Sequence, residues 1–395
     1  MSSHVTRRHD PDEARQFPLR RVLLLGGGRW SRVLLPVMQS LLANDAEITW
    51  VTEHGYEQAR RWLAESKIER VVVKTCAETH NASFDAAVVA TAPATHAHYV
   101  RGLIARGIPT LCEKPFSLDA AQAVELEHLA HARKGVLGVH LELPFASYFQ
   151  EFAELVRAQP AADIAITWFD PWSEVRYGEI KHGDVYTSIV DDMWPHCWSL
   201  IREMVPGATF STIQLDDVAY EPSDGKVLVL ARTEETRIRV ELSRRFLRRK
   251  RRIEVDGWKF LLDFSAEPGW REVGGVVTTN TWQGLRPLSG SLQSFFEVVV
   301  NNQLASRWTL SLHNCLDSVR QACEISGRLR ALQQQRLLDL QRSGVDLSDT
   351  AQRNLIVDAL LPEYGQDGQR WPAFSMEQQT AFVQYVCKTR GIRYK

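Results

Sequence analysis

The chain has 395 residues, enough for two domains with separate cores. Its 47 Lys and Arg against 48 Asp and Glu leave a formal net charge of −1, which argues against nucleic acid or an acidic membrane surface as partner. Six scattered cysteines without a C-x-x-C pair argue for reduced thiols in a cytoplasmic protein, against a disulfide frame and against a metal site, and no apolar run reaches the roughly 18 residues a membrane span needs.

Residues 1–19 are polar and charged, without the apolar core of a signal peptide or anchor, and read as a disordered extension. Arg21–Leu25 is then a short apolar run ending at glycines, as a buried parallel strand should. Ser31–Leu42 carries apolar residues at helical spacing. Ile48–Val51 reads as the second strand, Tyr56–Ser66 as an amphipathic helix and Val71–Val73 as the third strand. Asp85–Ala90 is the fourth strand, His96–Arg106 a helix closed by Gly107, Thr110–Cys112 the fifth strand and Val136–His140 the last. Such alternation predicts an α/β domain with an open, doubly wound, mostly parallel sheet.

Three segments at strand ends suggest chemistry. Gly26-Gly27-Gly28-Arg29-Trp30-Ser31 is a variant of G-x-G-x-x-G with Ser at the third position, lying between the first strand and a helix. Glycine is required where the backbone turns tightly or approaches a pyrophosphate, and the helix N-terminus supplies N–H groups and positive dipole. Thr52-Glu53-His54 ends the second strand about 25 residues later. An acid there accepts hydrogen bonds from the adenosine ribose and repels a 2′-phosphate, which favours NAD; Thr52 with His54 offers the alternative of binding that phosphate, which favours NADP. Thr91-Ala92-Pro93-Ala94-Thr95-His96 follows the fourth strand at the ligand-binding edge of the sheet, with Thr91, Pro93 and His96 as candidate cofactor contacts; a loop that simply starts a helix explains it equally well.

These segments, with Gly107-Ile108-Pro109-Thr110-Leu111-Cys112-Glu113-Lys114-Pro115, resemble the Gfo/Idh/MocA family of glucose–fructose oxidoreductase, inositol dehydrogenase and relatives. The resemblance covers residues 20–145 closely and runs more loosely to about 330. It implies an N-terminal Rossmann domain over 20–142 and a C-terminal α/β domain with an open, mostly antiparallel sheet over 143–330. Ile164–Trp168, Val227–Ala231, Ile238–Leu242, Arg252–Gly257 and Phe260–Phe264 fit that expectation as strands. The resemblance also implies that Lys114 is a catalytic lysine beside the nicotinamide. A lysine partly desolvated beside a cationic ring should have a lowered pKa and serve as acid, base or electrostatic partner. Glu113 would orient the loop.

A second catalytic element is implied on a helix carrying Asp-x-x-x-His, here Asp192-Met193-Trp194-Pro195-His196. A spacing of four places Asp192 and His196 on one helical face, whereas Asp191 points elsewhere. The chain departs from the family just before this helix, where Tyr186–Val190 replaces a glycine-rich stretch, so the substrate pocket is expected to be reshaped. Without the upstream motifs, the same residues read as a core histidine and a helix-capping acid.

Arg244–Arg252 holds seven basic residues in nine and reads as a solvated hairpin between two strands, with an anionic substrate as the functional alternative. Trp168, Trp172, Trp194 and Trp198 read as core rather than as a sugar-stacking wall. Residues 331–395 read as an added helical extension, Ser375-Met376-Glu377-Gln378 being a capping box that opens one of its helices. The expected function is NAD(P)-dependent hydride transfer to or from a carbohydrate-like hydroxyl or ketone, in a cytoplasmic homo-dimer or homo-tetramer that binds a small-molecule substrate. Alternatives are an imine reductase of specialised metabolism and a cofactor-binding protein without catalysis.

Overall fold

The computed structural model describes residues 16–344, apart from 67, 160, 172, 177–178, 183–186, 206, 209–211, 222–224 and 247, together with residue 388. Residues 1–15, Trp172 and the helix expected at Ser375 lie outside the described residues. Two compact units are present. One takes the chain up to Ser117, Ala121–Gln150 and Thr281–Leu316; the other takes Leu118–Ala120, Glu151–Asn280 and the chain from Asp317.

The first unit is built on a six-stranded sheet of β1 (Arg21–Leu25), β2 (Glu47–Val51), β3 (Val71–Lys74), β4 (Ala86–Val89), β5 (Thr110–Glu113) and β6 (Leu137–His140). All its pairings are parallel, in the order β3-β2-β1-β4-β5-β6. The strands alternate with α1 (Arg29–Leu41), α2 (Tyr56–Ser66), α3 (Cys76–Thr79), α4 (Pro93–Ala105) and α5 (Ala120–Ala132). Sheet order reverses between β1 and β4, and such a switch point leaves a crevice at the carboxyl ends of the two strands. In β4, β5 and β6 every residue is buried, the continuous pattern of strands covered on both faces.

Order begins before Arg20. Phe17 and Leu19 are buried, and the Phe17 ring meets Phe296 with centroids 5.8 Å apart. The expectation of disorder through residue 19 is therefore too long at its C-terminal end, because two apolar residues there find partners distant in sequence.

The chain also returns to this unit late. After the 3-10 turn at Leu143–Phe145 and α6 (Ser147–Arg157) it leaves, and it comes back with α8 (Pro287–Val300), which packs on α1 and β6. Close contact at Trp308–Leu310 explains Gly138: a Cβ there would lie 2.2 Å from the Trp308 ring and 2.8 Å from Leu310 O.

In the second unit β7 (Asp163–Pro171) is followed by the antiparallel pair β8 (Ser173–Arg176) and β9 (Glu179–His182), then by α7 (Ile189–Met204). Next come β10 (Gln214–Glu221), β11 (Lys226–Arg232), β12 (Arg237–Phe246), β13 (Lys250–Val255), β14 (Phe260–Asp263), β15 (Trp270–Val273) and β16 (Val276–Thr279). With β7 they form an eight-stranded sheet, β10-β11-β12-β7-β13-β14-β15-β16, antiparallel except where β7 pairs with β12. Burial alternates along β11 and β13, as in a sheet with one covered face. The helix α9 (Leu312–Arg342) runs 31 residues, straight through the boundary expected at 330.

The basic run is not a solvated hairpin. Its two strands, β12 and β13, lie on either side of β7 and do not pair with each other. Arg244 and Arg251 are buried, at 2% and 5% exposure. Each inward arginine meets an acid from a distant segment: Arg251 bonds both oxygens of Asp170 at 3.0 Å, and Arg249 Nη2 bonds Glu174 at 2.5 Å. The buried charges are compensated as a cluster, since Arg249 Nε also lies 3.8 Å from Asp170, the carboxylate that Arg251 bonds.

Candidate active site

The turn after β1 uses its three glycines differently. Gly26 has φ +129°, and a Cβ on it would lie 2.2 Å from Ala90 O, so only glycine lets this turn approach the end of β4. A Cβ on Gly27 would lie 2.2 Å from Thr52 Oγ1. A Cβ on Gly28, the N-cap of α1, would meet nothing within 4 Å and would point into open space. Gly28 has no side chain with which to cap the first-turn N–H groups of α1. Ser31, in that first turn, is fully buried and its Oγ has no hydrogen-bond partner among the described residues. Behind the turn, Trp50 Nε1 donates to Gly26 O at 2.6 Å. This support was not expected from the sequence, in which Trp50 is only an apolar strand residue. An open cradle, an uncapped helix N-terminus and an orphaned buried hydroxyl together suit a pyrophosphate.

At the end of β2, Thr52 is buried and donates its hydroxyl hydrogen to His54 O at 2.5 Å, which fixes the turn. Glu53 is exposed. Its carboxylate adjoins the Cys76 thiol, which burial first and then this neighbour raise above its ordinary pKa. Burial and Cys76 likewise raise Tyr99, whose hydroxyl lies 3.9 Å from Cys76 Sγ. Cys76 and Tyr99 carry no motif, and only folding brings them to Glu53.

After β4, Thr91 and Pro93 are half-buried, and Thr95 Oγ1 donates to Thr91 Oγ1 at 2.8 Å. His96 is buried with both ring nitrogens against backbone carbonyls, Nδ1 at 2.8 Å from Pro115 O and Nε2 at 2.9 Å from Thr91 O. Burial outweighs those carbonyls and pushes the imidazole below its ordinary pKa. His96 sits between the loop after β4 and the loop after β5, and as a neutral imidazole it donates its single N–H to one of the two carbonyls.

The loop after β5 carries Lys114, half-buried, next to Glu113, which is buried. One oxygen of Glu113, Oε1, accepts from Trp30 Nε1 and also bonds Nδ1 of His140, the last residue of β6. The other ring nitrogen of His140, Nε2, lies 2.8 Å from Ser291 Oγ on α8. Glu113 thus joins the glycine turn, the lysine loop and the sheet edge. His140 escapes a reading by motif because its partners are 27 and 151 residues away.

In the second unit Ser188 caps α7. Its Oγ accepts from Asp191 N at 3.0 Å and donates to Asp191 Oδ2 at 2.7 Å, while Ser326 donates to Oδ1 at 2.7 Å. Asp191 is thereby the capping acid. Asp192 turns to another face, where Arg244 Nη2 donates to its Oδ2 at 2.7 Å. One turn on, His196 stacks on Trp168 with centroids 5.3 Å apart and planes 3° from parallel. The Arg251 guanidinium also lies on Trp168, 4.1 Å from its centroid. Trp168, Trp194 and Trp198 are all buried, as core rather than a stacking wall. Among the described residues no cluster of His, Cys, Asp and Glu could hold a metal ion, and no helix is long and apolar enough to cross a membrane.

Residues 20–141 match the model of the Gfo/Idh/MocA oxidoreductase family with an NAD-binding Rossmann fold. An inositol 2-dehydrogenase from Acidiphilium cryptum is 36% identical over 104 residues, which are 26% of this chain and 31% of that enzyme. The aligned stretch thus spans about a third of that relative's length. Two solved structures show the same fold over most of the chain. A UDP-N-acetylglucosamine 3-dehydrogenase from Acidithiobacillus ferrooxidans matches with TM-score 0.62 at 15% identity, covering 79% of this chain and 98% of its own. A 3-ketoreductase variant from Actinomadura kijaniata, crystallised with NADP, matches with TM-score 0.62 at 14% identity, covering 77% and 96%. The glycine turn, the switch-point crevice and the Glu113–Lys114 loop all lie in the first unit, within the residues that match the Gfo/Idh/MocA oxidoreductase model.

Proposed function

We propose that the protein is an NAD(P)-dependent oxidoreductase that moves hydride between the nicotinamide and a carbohydrate-like hydroxyl or ketone. The observation that carries the reading is the open space at Gly28 over the uncapped start of α1. Gly26, Gly28, Arg29, Trp30 and Ser31 would hold the pyrophosphate, Thr52 and Glu53 the adenosine ribose, and Thr91, Pro93, His96 and Glu113 would shape the nicotinamide side. Bound there, the nicotinamide supplies the hydride acceptor or donor. Lys114 exchanges the proton of the substrate oxygen, with His196 as the alternative carrier and Asp192 as the group that orients it or binds a substrate hydroxyl. The exposed carboxylate of Glu53 favours NAD, since a 2′-phosphate would meet like charge.

A sugar or polyol substrate is supported by the relatives, which include dehydrogenases named for an inositol and for a nucleotide sugar. We further propose a cytoplasmic homo-dimer or homo-tetramer. The test is nicotinamide absorbance with inositols, sugars, nucleotide sugars and imines. Turnover of a polyol or sugar is expected, with Lys114→Ala lowering it by about 10²–10⁴-fold while the cofactor Kd stays unchanged. Undiminished turnover in that variant removes the catalytic assignment, and turnover of imines alone makes the protein an imine reductase. Cofactor binding without turnover of any compound favours a non-catalytic role.

A further inference from the structure

His140 is fully buried, yet neither of its ring nitrogens is idle. The protons on this ring follow from its neighbours. Ser291 has one hydroxyl hydrogen, and its Oγ lies 3.0 Å from Leu288 O, a carbonyl that can only accept. With that hydrogen given to Leu288, Ser291 meets His140 Nε2 as an acceptor, so Nε2 carries a proton. On the other side Nδ1 faces Glu113 Oε1, which also accepts from the Trp30 indole. A carboxylate oxygen in that role calls for a second N–H.

We infer that His140 is an imidazolium and the positioning residue of the cofactor cradle. It neutralises Glu113 and holds it on Trp30, fixing the first turn of α1 to the end of β5. The inference rests on the proposed cofactor, since the ligand served is the nicotinamide dinucleotide. Burial alone would favour neutral imidazole, but Glu113 from β5 and Glu142 just beyond β6 outweigh it and raise the pKa. Without this cation, Glu113 is an uncompensated buried carboxylate beside a helix start that must accept phosphate, and Trp30 loses its fixed partner. His140 touches no reacting atom in this scheme. It acts through Glu113.

Nuclear magnetic resonance of the full-length protein labelled with ¹⁵N-histidine reads the ionisation directly, the His140 signals being assigned by their loss in His140→Gln. Both ring nitrogens are expected to be protonated at neutral pH. In Glu113→Gln, an isosteric change, one of those protons should be lost. A neutral His140 in the wild type, or one still doubly protonated in Glu113→Gln, overturns the inference.

NADH fluorescence supplies the binding arm. His140→Phe should weaken the Kd about tenfold, and His140→Phe/Glu113→Gln should recover most of that loss. A merely structural role for His140 would not be rescued by removing the carboxylate. Wild-type affinity in His140→Phe, or no recovery in the double variant, overturns the positioning role. Wild-type protein that binds neither NADH nor NADPH overturns the functional reading instead, while the histidine spectrum still decides the ionisation.

Discussion

Arg244, only 2% exposed, donates to Asp192 at 2.7 Å, and the two side chains differ in what they would suffer alone. The arginine charge is enclosed, whereas the Asp192 side chain keeps 24% of its surface in solvent. Asp192→Asn would leave the buried Arg244 charge without this carboxylate, its bond to Thr187 O remaining, and is expected to cost about 3 kcal/mol in denaturant unfolding. Arg244→Met leaves a carboxylate that water can still reach and should cost less. The double variant should recover part of the Asp192→Asn loss. If Asp192→Asn unfolds at the wild-type midpoint, the pair contributes nothing to the fold. This measurement is also the control that any activity loss at Asp192 requires.

The three glycines of the turn should separate folding from binding. Gly26→Ala places a Cβ against Ala90 O at a φ of +129° and should cost about 1–3 kcal/mol of stability. Gly28→Ala meets no protein atom within 4 Å and should leave the melting temperature unchanged. It should nevertheless weaken NAD(P) binding at least about tenfold, roughly 1.4 kcal/mol, by filling the cradle. Calorimetry on both variants, with and without cofactor, checks the contrast. Tight binding by Gly28→Ala would move the pyrophosphate elsewhere.

Glu53 should set cofactor choice. The wild type is expected to bind NADH more tightly than NADPH, and Glu53→Gln should narrow the difference by about 1 kcal/mol, the scale of two charges meeting in water. An unchanged ratio of the two dissociation constants would relieve Glu53 of this role.

His140 and His96 should impose opposite pH dependences on stability. The folded-state pKa of His140 is raised, so its contribution is complete below the unfolded value of about 6.5 and is lost as pH climbs through the folded value. His96 is depressed, so its neutral form supports the fold above about pH 6.5, and that support drains away as pH falls toward the folded value. The stability gap between wild type and His140→Asn should therefore shrink toward alkaline pH, and that between wild type and His96→Asn toward acid pH. Urea midpoints between pH 5 and 9 check both signs.

The parallel sheet of the first unit was legible in the chain because strands buried on both faces leave unbroken apolar runs. Ala86–Val89 is fully buried, and the expected strands differ from the observed ones by a residue or two at their ends. The strands β10, β15 and β16 left no such trace. All four residues of Val276–Thr279 are exposed, so this strand is held by backbone pairing at a sheet edge and has no alternating pattern to read.

Local order along the chain was enough to find the glycine turn, whereas the Glu113–Lys114 loop and Asp192 with His196 were singled out only through the family resemblance. Tertiary structure alone decided their partners. Trp50 behind Gly26, His140 on Glu113 and Arg244 on Asp192 are contacts across 24, 27 and 52 residues. Charge patterning in sequence misled at Arg244–Arg252 for the same reason. An arginine's burial depends on whether the fold delivers a carboxylate to it, and Asp170, Glu174 and Asp192 arrive from segments that no local period connects to β12 or β13.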